Sequence, residues 1–196
     1  MSEISLESQK TLFLEARTYK SWVPKPVDAA LLRKVYDLMK WAPTSANTQP
    51  IHLVFITTPA AKKRLLPAMV EANRPQVEQA PVAVIVAYDM RFYEHLPVTF
   101  PVAPAMKDMF QSNEKLSETH ALRNGSLQGA YFMLAARALG LDVGAMSGFD
   151  NGAVDKEFFA DGRFRSNFIC TLGYGDKEKL YPRGYRHAFE SACVIL

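Results

Sequence analysis

Arg17 and Lys20 stand three residues apart with the hydroxyl of Thr18 between them. Two cations and a hydroxyl at that spacing can converge on one phosphate dianion through charge-assisted hydrogen bonds. The same groups also suit a solvated helix end, where cations complement the helix dipole. Further along, Ala42-Pro43-Thr44-Ser45-Ala46-Asn47-Thr48-Gln49-Pro50 sets small hydroxyl and amide side chains between two prolines. Such a run cannot build a core. It makes a stiff loop dense in donors and acceptors, suited to gripping a polar planar ligand or to a plain polar connection. The small residues of Gly144-Ala145-Met146-Ser147-Gly148-Phe149-Asp150 permit close backbone approach to a flat ring. A tight turn with Phe149 as a core anchor is the alternative. Arg183 and Arg186 lie in a basic tail that needs no special explanation from its residues alone.

Other chemistries find no support. His52, His95, His120 and His187 show no metal-ligand spacing, and no Ser/His/Asp set or paired carboxylates share an obvious site. No catalytic residue is assigned. Lack of a protein nucleophile fits an enzyme whose cofactor does the chemistry. No Gly-x-Gly-x-x-Gly follows a strand and no Walker-type loop is present, so a Rossmann dinucleotide unit is not expected. Two cysteines, Cys170 and Cys193, make neither a disulfide framework nor a zinc site; Cys170, in an apolar run, is expected to be a buried inert thiol.

The elements that must position these residues read as follows. Leu6, Leu12, Phe13 and Ala16 keep helical spacing, predicting a first helix that ends near Arg17. Asp28 caps a second helix, which Pro43 stops. Residues 51–57 form a strand, and Thr58-Pro59 opens a helix through Leu66. Residues 82–88 are a continuous apolar run, as for a strand buried on both faces. The stretch 89–116, punctuated by Pro97, Pro101 and Pro104, reads as a long loop or short broken helices over a ligand site. A helix spans 117–139 and stops at Gly140; a strand follows at about 167–172. Helices interspersed with strands predict layers, with helices on both faces of a central sheet.

At 196 residues the chain fits one domain, 1–196. Twenty-three basic against 20 acidic residues give a net charge of +3, too balanced for a nucleic-acid binder. The first residues lack the pattern of a secretory signal, and the longest apolar run is too short to span a bilayer, so a cytoplasmic protein without membrane or nucleic-acid partners is expected.

The combination of Arg17-Thr18-Tyr19-Lys20, the Pro43–Pro50 loop and Ser147-Gly148-Phe149-Asp150 resembles the FMN-binding motifs of the nitroreductase family. That family begins with Arg-Ser-x-Arg, follows with Pro-Ser/Thr-Ser-x-Asn-x-Gln-Pro, and reads Pro-x-x-Gly-Phe-Asp later. Here Thr18 replaces Ser, Lys20 replaces Arg with loss of a bidentate fork, and Ala145 stands in place of the proline. The resemblance implies an α+β three-layer sandwich whose central sheet is mixed and mainly antiparallel. It implies that Arg17, Thr18 and Lys20 hold the FMN phosphate and ribityl chain, with Arg186, or Arg183 second, completing the site. Pro43, Thr44, Ser45 and Asn47 would contribute from a partner subunit of a homodimer, and Ser147 and Gly148 would face flavin N5.

NADH or NADPH would donate hydride, and a small-molecule acceptor would follow by a ping-pong scheme. Strings such as Arg91-Phe92-Tyr93-Glu94-His95-Leu96-Pro97 resemble in particular the malonic semialdehyde reductases of pyrimidine degradation. Arg91 or Arg123 would then meet the acceptor's carboxylate. General nitroaromatic or quinone reduction, or flavin binding without turnover, are the alternatives. Gly125 and Gly129, one turn apart, predict close helix packing, across a dimer interface or within the chain.

Overall fold

The computed structural model describes residues 2–196. Helix α1 (Leu6–Gln9) runs into a π-helical turn at Lys10–Leu14 and stops there, short of Arg17. Helix α2 (Ala29–Met39) starts where Asp28 accepts the Ala30 N–H, and it ends before Pro43. Strand β1 (Ile51–Ile56) follows, then α3 (Pro59–Leu65), which Thr58 caps, and α4 (Arg74–Gln79). Strand β2 (Val82–Asp89) is buried at every residue, as its unbroken apolar run requires. The proline-punctuated stretch folds into short helices α5 (Leu96–Thr99) and α6 (Ala105–Gln111). Helix α7 (Glu114–Ala138) is the long one, and Gly140 (φ 77°) terminates it. Strand β3 (Asp142–Met146), α8 (Asn151–Phe158), β4 (Phe164–Gly173) and a last turn, α9 (Phe189–Ala192), complete the chain.

The strands make one sheet in the order β1-β2-β4-β3, every pairing antiparallel. Its mixed character comes from a parallel bridge between Thr18 and Val143, which extends the sheet beyond β3. Alternation along β2 sorts the two faces. Val82, Val84 and Val86 pack with Leu32, Val35 and Met39 of α2 and Phe132, Ala135 and Ala136 of α7. Ala83, Ile85 and Ala87 pack on the opposite face with Leu65, Val77 and Val154 of α3, α4 and α8. These are the three expected layers. Each fully buried aliphatic side chain contributes about 1.5–3 kcal/mol.

Two expectations need correction and one open alternative is decided. The segment 144–150 does not begin as a loop: Gly144, Ala145 and Met146 belong to β3, paired with β4. Arg17–Lys20 is not a helix end, because Tyr19 N–H donates to the Val143 carbonyl at 3.1 Å and draws the segment into extended pairing. Gly125 and Gly129 pack within the chain. A Cβ on Gly125 would lie 3.2 Å from the Tyr88 Cβ, and one on Gly129 2.8 Å from the Phe168 ring. Their small size serves the seating of α7 on β2 and β4.

Candidate functional site

The Arg17–Lys20 segment is pinned from below. Gln76, buried on α4, donates to the Tyr19 carbonyl at 3.0 Å and to the Thr171 hydroxyl at 3.0 Å. The alternation of an extended chain then buries Tyr19 and leaves Thr18 and Lys20 exposed. Burial pushes the Tyr19 phenol up, the Asp142 charge adds to this, and Arg17 opposes it.

Beside this segment lies a cavity of about 500 Å³ lined by Arg17, Thr18, Lys20, Arg137, Arg183 and Arg186, with Phe13, Tyr181 and Pro182. Arg17 donates to the Tyr181 carbonyl, Arg183 to the Ala16 carbonyl at 3.2 Å, and Lys20 lies 5.2 Å from the Tyr181 ring centre. These contacts fold the basic tail back onto the first segment. The cavity has five cations and no carboxylate in its wall. Among the described residues none of the five makes an ion pair. Positive charge gathered without a counter-charge fits a multiply charged anion such as a phosphate ester.

Arg137 has no counterpart among the sequence expectations. It reaches the cavity from the last turn of α7, half-buried, and donates to the Leu12 carbonyl at 3.1 Å. Burial lowers its guanidinium pKa. A signal existed: it is the single charge between Arg123 and Asp142. Gln76 offered none.

Ser147 and Gly148 leave the end of β3, four and five residues beyond Val143, which is roughly 13–17 Å along a strand. The Gly148 carbonyl is taken by Val70 N–H and the Asn73 amide, each at 3.1 Å. The N–H groups of Ser147 and Gly148 have no acceptor among the described residues. A Cβ on Gly148 would fall 2.6 Å from the Asn73 amide, so the glycine lets that side chain lie against the loop.

The Pro43–Pro50 loop lies elsewhere. Ser45 N–H donates to Asn124 on α7 at 2.8 Å, and the Asn47 amide donates to the Thr99 carbonyl at 2.9 Å. Gln49 in turn donates to the Asn47 side-chain oxygen at 2.9 Å, so the Asn47 carboxamide is largely committed within the chain. Thr44 accepts the Gln49 N–H at 3.2 Å. Pro43 and Ser45 are exposed. Asn124 and Arg137 are thirteen positions apart on one helix, about 20 Å. The loop and the cation cavity of a single chain therefore do not converge. Arg91 lines a separate cavity of about 300 Å³ with Tyr93 and Arg165, and Arg123 is exposed on α7.

Among the described residues no group of metal-ligating side chains could hold an ion, and no helix is long and apolar enough to cross a membrane. Cys170 is fully buried, and burial pushes its thiol up to about 12, as an inert core thiol requires.

Comparison with known proteins shows the family and the fold. Residues 14–174 match the model of the Nitroreductase family. The chain is 53% identical over 195 residues to a protein of Burkholderia lata, with the whole of both chains covered. It is 52% identical over 185 residues to one of Rhodopseudomonas palustris, covering 94% of each. Both carry the provisional name NADH dehydrogenase/NAD(P)H nitroreductase. Among solved structures, a nitroreductase-like protein of Exiguobacterium sibiricum in complex with FMN superposes at a TM-score of 0.87, with 18% identity and full coverage of both chains. A Bacillus subtilis protein superposes at 0.86, with 22% identity and coverage of 98% of this chain and 100% of that one. The two structures share the fold, and the matched residues and close relatives decide the rest: this chain belongs to the nitroreductase family.

Proposed function

We propose that the protein is an FMN-dependent NAD(P)H oxidoreductase. The observation that carries this reading is the cavity of five unpaired cations around Thr18, which fits a flavin phosphate. Arg17, Lys20, Arg137, Arg183 and Arg186 would neutralise that phosphate, and Thr18 would donate its hydroxyl. The free N–H groups of Ser147 and Gly148 would meet the ring. When bound, FMN would carry hydride from NADH or NADPH to an acceptor, the two partners using one ring face in turn. The chain's own part is to bind, orient and shield; no side chain is assigned as a proton donor. The test is anaerobic addition of NADH or NADPH to the FMN-loaded protein. Bleaching of the flavin band supports a reductase, whereas a band that persists with both donors leaves only a flavin-binding module.

Two copies would build each site. The loop around Ser45 stands about 20 Å up α7 from the cavity of its own chain, so it would serve the flavin of a partner. The outer face of α7 carries exposed Leu116, Leu127 and Tyr131, an apolar stripe suited to a second copy. Sedimentation of the FMN-loaded protein should give twice the chain mass of 22.0 kDa; a fully loaded monomer would refute the shared site.

For the acceptor, the likeness to malonic semialdehyde reductases supports a small carboxylated aldehyde, reduced to the 3-hydroxy acid, with Arg91 or Arg123 on its carboxylate. A specific feature favours a second class. Residues 96–104, which touch Asn47 through Thr99, contain no charge, and Val98 and Val102 are exposed there. An apolar wall of this kind suits a quinone or nitroaromatic. Comparison of kcat/KM for the three acceptors decides; an aldehyde tenfold worse, about 1.4 kcal/mol in barrier, removes the first reading.

A further inference from the structure

Three residues of the loop occupy left-handed backbone although none is glycine: Ala46 at φ 51°, Asn47 at φ 48° and Gln49 at φ 44°. Such conformations are disfavoured for residues with a side chain, and a run of them persists only where neighbouring structure over-determines it. Here α7 does so. His120, Asn124 and Gln128 recur every four residues and so share one stripe of the helix. The His120 Nε2 and the Thr48 hydroxyl are 3.1 Å apart. Asn124 accepts the Ser45 N–H at 2.8 Å, and Gln128 accepts the Ile51 N–H at 2.9 Å. One rigid helix thus grips the loop at Ser45 and Thr48 and, three residues on, the start of β1 at Ile51.

The gripping side chains are themselves fixed. Asn124 donates its amide to the His120 carbonyl at 2.9 Å, which sets the orientation of its oxygen. The His120 ring stacks on Phe92, centres 5.1 Å apart, and leans on Phe110 at 4.6 Å. Asn124 and Gln128 are each only 2% exposed. A helix face needed only for packing would carry apolar side chains there, since buried amides cost free energy unless bonded.

We infer that His120, Asn124 and Gln128 are positioning residues that hold the Thr44–Gln49 backbone in its flavin-ready shape before the cofactor arrives. The inference rests on the reading that this loop meets a flavin. Its first test is hydrogen exchange on the flavin-free protein. The Ser45 and Ile51 amides should be protected, and Asn124→Leu, of similar volume, should speed exchange at Ser45 at least tenfold while β2 stays protected.

The second test is FMN binding. Asn124→Leu should weaken it about tenfold, near the worth of one hydrogen bond, and move the visible dichroism of bound flavin toward that of free flavin. Asn124→Asp, which keeps an acceptor oxygen, should restore the dichroism; a merely structural role would not produce that rescue. Ser45→Trp, at an exposed site, is the reference that blocks any flavin facing the loop. If Ser45→Trp abolishes binding and Asn124→Leu leaves affinity and dichroism unchanged, the positioning role is refuted and the functional reading stands. If neither variant has an effect, the loop does not meet a flavin and both fall. Should Asn124→Leu fail to fold, an unprotected Ser45 amide in the native protein would overturn the proposal by itself.

Discussion

The Gln76 side chain on α4 and the Tyr19 carbonyl, 57 residues apart in sequence, meet at 3.0 Å beneath the cation cavity. Gln76 is 5% exposed, so the contact is shielded from water and holds Arg17, Thr18 and Lys20 against the sheet. Replacing it by an apolar residue of similar length, Gln76→Met, leaves the Tyr19 carbonyl without its side-chain donor. A loss of about 1–3 kcal/mol is expected in urea unfolding. FMN affinity should fall with it, because the phosphate-facing segment loses its seat. Unchanged unfolding together with unchanged affinity would mean that the bridge to Val143 alone positions the segment.

Arg137→Met keeps the half-buried aliphatic stem and removes the charge. The expected result is FMN binding weaker by about 1.5–3 kcal/mol, the worth of a charged hydrogen bond, measured by fluorescence titration. Arg17→Ala should cost a similar amount. If only Arg17→Ala weakens binding, Arg137 serves the Leu12 carbonyl and not the phosphate.

Gly129→Ala should destabilise each chain by about 1–3 kcal/mol through overpacking, since the added carbon would lie 2.8 Å from the Phe168 ring. The readout is the urea midpoint at two protein concentrations. A deficit independent of concentration fits packing inside the chain. One that grows on dilution would return the glycine to a subunit interface.

Two imidazoles make stability depend on pH. Burial lowers the pKa of His52, against the opposing Asp89 charge, and lowers that of His120, against the nearby Ser45 carbonyl. Both are held neutral in the folded protein where the unfolded chain would bind a proton. Their contribution is therefore fully present above the ordinary value of about 6.5 and is lost as pH falls through the lowered folded values. Unfolding free energy should decline between pH 7.5 and 5. In the double variant His52→Gln/His120→Gln that decline should be shallower. Equal slopes in the two proteins would contradict the assignment.

Much of this was legible in the chain itself, for a physical reason. Short-range signals specify elements: Asp28 and Thr58 cap helices with their own side chains, and Val82 to Tyr88 must be buried on both faces because every residue is apolar or aromatic. The motif residues Arg17, Lys20, Arg183 and Arg186 were readable as charges and Thr18 as a hydroxyl between two of them, and the structure brings them to one cavity. Long-range pairing decided what spacing could not. Residues 144–146 read as the start of a small-residue segment open to a ring or a tight turn, yet β4 supplies the partners that make them a strand. Arg17 continues a helical pattern, but the helix stops at Leu14 and the Tyr19 N–H donates to the Val143 carbonyl instead. Gln76, Arg137, Asn124 and Gln128 carry no local signature, because what each does depends on a backbone group brought to it from elsewhere in the chain. Tertiary structure alone sets the loop and the cavity about 20 Å apart on α7, because a rigid helix fixes the distance between residues that a sequence only orders.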